Sequence, residues 1–278
     1  MAAPHIPSAV SRRLEPSYAS NRFAIAGFVV ALLVLGAKAL ITNDMTLVGA
    51  LFAAVGVFLG WAAGRELDPG TPGVAALGMV LALAIAVFVP PAALATGVAM
   101  IGLRLVSGTT GAPVTWLDLA VFAGLGLVSG GSPVLWIVGG AIVMWLLRAP
   151  EVGPLRTWVT VAFAVGAACG LGWLWYQWND GRIDDVVITA TAYVLAAAAG
   201  AAMMLAARPV SVTAPTDVGG GDVDRLRIRF ARLAAGSFCM WAAVIGGTAG
   251  FWGIAPIFAA LVAAAIYRVF VQPAAITP

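Results

Sequence analysis

Residues 23–42 carry a single charge, Lys38, and blocks of the same kind follow one another almost to the C-terminus. Such a block has neither the polar face of a surface helix nor the strict alternation of a barrel strand. Its solvent is lipid, where every backbone N–H and C=O has to find a partner within its own segment, and that requirement leaves the helix. Composition agrees: 10% of the residues are charged, whereas a soluble domain needs about a quarter to keep its surface wet.

The expected fold class is therefore all-α, a polytopic transmembrane bundle of about ten segments. They fall at 23–42, 45–64, 73–89, 92–106, 117–130, 133–147, 157–176, 186–207, 230–249 and 254–271. This divides the chain into a tail (1–22), eight spans (23–207), a connection (208–229), two further spans (230–271) and a short end (272–278). Ala37-Lys38-Ala39 has the form of a signal-peptidase site, but Leu40 and Ile41 continue the apolar run, so a retained first span is expected. Segment 92–106 has 15 residues, about 22 Å of helix against a core of about 30 Å. With 117–130 it suits a re-entrant hairpin as well as two spans. That alternative gives eight spans, carries Ser107-Gly108-Thr109-Thr110-Gly111 toward mid-membrane, and leaves the parity unchanged.

Lys and Arg resist translocation, so they mark the inner side. With the N-terminus inside, the inner tail, connections and helix ends hold Arg12, Arg13, Arg22, Arg65, Arg104, Arg148, Arg156, Arg208, Arg225, Arg227, Arg229, Arg232 and Arg268. Only Lys38 and Arg182 fall outside. The expected topology is N-in and C-in, in a cytoplasmic (inner) membrane. Trp173, Trp175, Tyr176 and Trp178 suit the outer headgroup zone, and Trp61, Trp116, Trp145 and Trp158 the inner one.

Several chemistries are excluded. His5 is the only histidine and sits in the polar tail, which removes a Ser-His-Asp triad, a Cys-His pair and a His-ligated metal. The basic residues are too dispersed for nucleic acid. No nucleotide fingerprint is present, and Gly219-Gly220-Gly221 lies among Asp217, Asp222 and Asp224, which would repel phosphate. That stretch reads as a linker. Neither metal nor cofactor is expected. Cys169 and Cys239 read as buried small hydrophobes.

The polar residues worth attention gather at the inner ends of spans two to six. Arg65, Glu66 and Asp68 stand beside a Pro-Gly-Thr-Pro turn, and Arg104 and Asp118 bracket a hydroxyl-rich stretch from Ser107 to Thr115. If the inner loops converge, Glu66, Asp68 and Asp118 face Arg65, Arg104 and Arg148, as a gate of ion pairs, a headgroup site, or a set of solvated caps. Lys38, Arg104 and Arg268 lie near helix ends and are expected to snorkel. Gly56, Gly60 and Gly64 form a small-residue face suited to close helix packing, within the chain or in a homo-oligomer. Arg225, Arg229 and Arg232 share one face of an amphipathic lead-in that suits membrane lipid, through anionic headgroups. The expected function is a small-solute transporter. The alternatives are an inner-leaflet lipid-modifying enzyme using Glu66, Asp68 or Asp118, and a non-catalytic packing subunit. In span number and parity the chain is similar to small drug/metabolite-type transporters, but it lacks that family's motifs and no residue is carried over.

Overall fold

The computed structural model describes residues 14–112, 114–115, 117–118, 120–122, 190–208, 214–216 and 221–271. Its named elements are all helical: α1 (Ala19–Thr42), α2 (Leu47–Leu67), α3 (Pro72–Phe88), α4 (Ala93–Ser107), α5 (Ala190–Ala206), α6 (Arg225–Gly253) and α7 (Ala255–Ile266). A π-helical turn, Tyr267–Val271, continues α7. No β-strand occurs among the described residues; Pro215 and Asp222 form one isolated bridge. The expected spans 133–147 and 157–176, most of 117–130, and with them Arg148 and Cys169, lie outside the described residues.

Among the described residues two helices, α1 and α2, are long and apolar enough to cross a bilayer, and Gly246–Gly253 with Ala255–Val271, bent by 70°, adds a third if counted as one span. The expected ten are not all met among these residues, for two reasons. Several blocks lie outside the described residues, and α3, α4 and α5 have only 17, 15 and 17 residues.

Local chemistry sets the helix boundaries. Thr46 caps α2 by accepting from the Gly49 N–H at 3.0 Å. Pro72 opens α3, where its missing N–H costs nothing. Gly108 ends α4 at φ 62°, a left-handed cap that a residue without Cβ adopts without strain. Asp224 starts α6 at Arg225, five residues before the expected span, because its carboxylate accepts from the Leu226 N–H at 2.8 Å. Inside α6 the backbone leaves the helix at Gly247, with φ 60° and ψ −156°, a region essentially reserved for glycine.

Packing centres on α2, which touches α1, α3, α4 and α7. The interior is dominated by small side chains, among them Ala53, Ala54, Ala63, Ala75, Ala82, Ala260 and Ala264. Small residues let backbones approach, and in lipid that close contact replaces a hydrophobic driving force. The glycine face of α2 follows this rule. A Cβ on Gly60 would meet Ala82 at 2.9 Å, and one on Gly64 would meet the Ala75 Cα at 2.6 Å, so both lie against α3; Gly56 abuts Pro91. Outward, α1 exposes Val29, Val30, Leu33, Leu40 and Ile41, an apolar surface that suits lipid.

The connection before α6 is partly folded. Thr216 donates to Gly221 at 2.7 Å and Val223 to Ala214 at 2.9 Å, and Ala214, Val223 and Ile228 pack as a small separate cluster.

Candidate functional site, a buried layer of ion pairs

The last turn of α2 reads Arg65-Glu66-Leu67, with Asp68 as its C-cap. At 100° per residue, three charged positions this close point in three directions, and each meets a different neighbour.

Arg65 turns toward the start of α1. Its Nη1 lies 3.4 Å from Ser20 Oγ and from Asn21 Oδ1, and its guanidinium sits 5.7 Å above the Trp61 ring. This pins α1 to α2 and adds a cation–π contact.

Glu66 turns toward α4 and is completely buried. Arg104 Nε donates to Oε1 at 3.0 Å and Ser107 Oγ to Oε2 at 2.8 Å, and Thr109 Oγ1 also donates to Oε2. A buried carboxylate is tolerable only when paired and hydrogen-bonded, and this one has a cation and two hydroxyls. The hydroxyls reach it because α4 ends here and its left-handed cap folds Thr109 back. Ser107 and Thr109 thus stand level with the last turn of α2 rather than at mid-helix.

Asp68 turns toward α6 and α7. Arg268, in the π-helical turn, donates to Oδ2, and Arg232 Nη2 lies 3.4 Å from the same oxygen. Arg232 is 2% exposed and Arg268 3%. Arg232 also donates through Nε to Leu67 O at 2.7 Å and through Nη1 to Ala206 O at 3.1 Å. Those are terminal carbonyls of α2 and α5, groups that have no partner within their own helices. Arg227 does the same for α4, donating to Val106 O at 3.0 Å and Leu105 O at 2.9 Å.

Two expectations are corrected here. Arg232 faces the interior and not a lipid surface, although it shares a helix face with Arg225 and Arg229, which remain exposed. Two turns further along, that face meets the bundle, and a cation there is stabilised by Asp68 and two helix C-termini. Arg104 and Arg268 do not snorkel to water; the carboxylates of α2 hold them inward.

Among the other expected site residues, Asp118 is 2% exposed and closes a cap with Thr115. Its Oδ2 accepts from the Thr115 N–H at 2.9 Å and the Thr115 hydroxyl at 2.8 Å. Arg148 lies outside the described residues. Lys38 pairs with Asp44 at 2.6 Å at the opposite end of α1. There Asp44 is held below the usual carboxylate range, first by its bond to Lys38 and then by the Thr42 hydroxyl. No group of three or more acidic, histidine or cysteine side chains that might hold a metal occurs among the described residues.

Sequence reasoning found the α2 carboxylates and Arg104 but missed the partners of Asp68. One signal was available: Arg268 is the only charged side chain within the last apolar block, and an intramembrane arginine has to meet a counter-charge. Together these contacts bring the start of α1, the ends of α2, α4 and α5, the start of α6 and the end of α7 to one end of the bundle. The chain matches no family model, no curated protein and no solved structure.

Proposed function

We propose that the protein is a multi-pass inner-membrane transporter of a small solute, N-in and C-in, with the buried ion-pair layer as its cytoplasmic gate. The observation that carries this is the pairing itself. Glu66 to Arg104, and Asp68 to Arg232 and Arg268, are links between separate helices, buried, at the end where the basic residues collect. A permanent structural joint would be as stable or more so with apolar side chains, because desolvating ions offsets most of their attraction. Ion pairs have the advantage where a contact has to exchange one set of partners for another. The break in α6 at Gly247 and the 70° bend into α7 add support, since interrupted helices recur where transporters rock about a fixed site.

An inner-leaflet enzyme working through Glu66, Asp68 and Asp118 is less well supported. Glu66 is saturated by three donors, and Asp118 is engaged in a helix cap. A packing subunit would leave the glycine face of α2 open, yet α3 covers Gly60 and Gly64 and Pro91 covers Gly56. The exposed Arg225 and Arg229 fit anionic headgroups at the inner surface.

Native Cys239, completely buried in α6, supplies the test. In a Cys169→Ser background, the rate at which a membrane-impermeant methanethiosulfonate modifies Cys239 is measured from each side of sealed vesicles. A gate predicts slow modification of the parent and faster modification from the cytoplasmic side alone after Glu66→Gln or Asp68→Asn. Rates unchanged from both sides in both variants would remove the proposal.

A further inference from the structure

The two carboxylates of α2 are held in different ways. Glu66 is engaged through both oxygens by Arg104, Ser107 and Thr109. Asp68 uses Oδ2 alone: Arg268 donates to it, Arg232 stands beside it, and Oδ1 accepts nothing among the described residues. Arg232 Nη2 is buried and, although 3.4 Å from Oδ2, completes no hydrogen bond. Its other two nitrogens are occupied by backbone carbonyls.

A guanidinium is built to receive two oxygens at once. Asp68 is tethered at the helix end and offers both arginines a single oxygen. A free anion under no such constraint presents two or more oxygens and fills the buried donor that Asp68 leaves open. The route in is short, because Asp68 lies two residues from Gly70, which is exposed at the tip of the α2–α3 turn.

We propose that Arg232 and Arg268 form an anion site, that Asp68 occupies it as a tethered stand-in, and that its ligand is a small carboxylate or phosphate. The phosphate is either a free ion or a lipid headgroup. This rests on the gate reading and supplies its trigger: the arriving anion displaces Asp68, and the α2–α3 turn comes away from α6 and α7. The solute of the proposed transporter is then an anion.

The experiment is a chemical rescue on the full chain. Thermal unfolding of detergent-solubilised wild type, Asp68→Asn, Asp68→Asn/Arg232→Gln and Arg232→Lys is followed during titration with acetate or inorganic phosphate at constant ionic strength. A parallel arm uses nanodiscs with or without phosphatidylglycerol. Removing the tethered competitor should make Asp68→Asn respond to the free anion at about tenfold lower concentration than wild type. Wild type should respond weakly and Arg232→Lys less still, and the double variant should not respond. Stabilisation by phosphatidylglycerol alone would assign the site to a headgroup. If Asp68→Asn cannot be purified, the comparison of wild type with Arg232→Lys carries the test. Equal responses in all variants, or none in any, overturn the proposal. Failure here with intact gating of Cys239 removes only the anion; rescue without gating removes only the gate.

Discussion

Replacing Gly64 by alanine adds one methyl group and should nevertheless destabilise the bundle. The new Cβ would sit 2.6 Å from the Ala75 Cα and 3.1 Å from both the Ala75 N and the Val74 O. Those atoms are backbone, so no rotamer change makes room and α3 has to move as a unit. Overpacking of this kind costs about 3 kcal/mol, the upper part of its usual range, while the helix gains about 1 kcal/mol from the Gly-to-Ala change. The expected net loss is about 2 kcal/mol. Gly36, in α1, is the control, because nothing lies within 4 Å of its Cβ position. Gly36→Ala should gain up to about 1 kcal/mol, a separation of about 3 kcal/mol between the two variants. Both are measured by unfolding the detergent-solubilised protein with increasing dodecyl sulfate. Because the crowding is within one chain, the loss should not depend on protein concentration, as a dimer face would require. Equal midpoints for the two variants would refute the α2–α3 packing described above.

Three further outcomes follow from the same contacts. Glu66→Gln removes the carboxylate that Arg104 donates to and should cost about 3 kcal/mol, with Glu66→Gln/Arg104→Gln costing less than the two single changes added together; the same unfolding assay reads this, and simple additivity would count against the pair. Gly247→Ala forces a side chain into a glycine-only backbone region and should cost about 1–3 kcal/mol, whereas Gly246→Ala beside it, with open space at its Cβ, should not. Asp44 has a depressed pKa, so its contribution is complete above its ordinary value of 3.8 and is lost as pH falls through the lower folded value; Lys38→Gln should move the Asp44 carboxyl titration upward in an NMR experiment.

The apolar blocks made the helices legible, because lipid allows each segment few alternatives. α1, α2, α3 and α4 begin and end within three residues of their expected bounds at every described end except the start of α1, where the helix begins at Ala19. α6 starts before the expected span, within the stretch read as an amphipathic lead-in, for a local reason. The apolar pattern begins at Phe230, but the Asp224 cap and the needs of Arg227 and Arg232 carry the helix back through a charged stretch. The site was half legible. A run such as Arg65-Glu66-Leu67-Asp68 declares charges at a helix end, and charges there have to be paired. Which partner each takes depends on helix order around α2, and sequence spacing does not encode that. Glu66 found Arg104 across 38 residues and Asp68 found Arg268 across 200.

The arginines have two roles, and the order of these matters. During insertion, in the proposed topology, each basic residue holds its flank on the cytoplasmic side. After folding, the same side chains meet what helices leave exposed at that side: carbonyl ends of α2, α4 and α5, and the carboxylates of α2. A C-terminal helix end carries about half a negative charge, so three such ends and two acids in one layer would repel one another without cations between them. Arg104, Arg227, Arg232 and Arg268 supply those cations. In the proposed topology the buried ion-pair layer is therefore a consequence of the topology signal. A substitution such as Arg232→Leu should be tolerated by insertion, which has other arginines to rely on, and fail at assembly, where Asp68 and two helix ends lose their common partner. Glycosylation or cysteine mapping that shows the wild-type orientation, together with a lowered unfolding midpoint, is the expected result. An inverted orientation with the midpoint unchanged would separate the two roles.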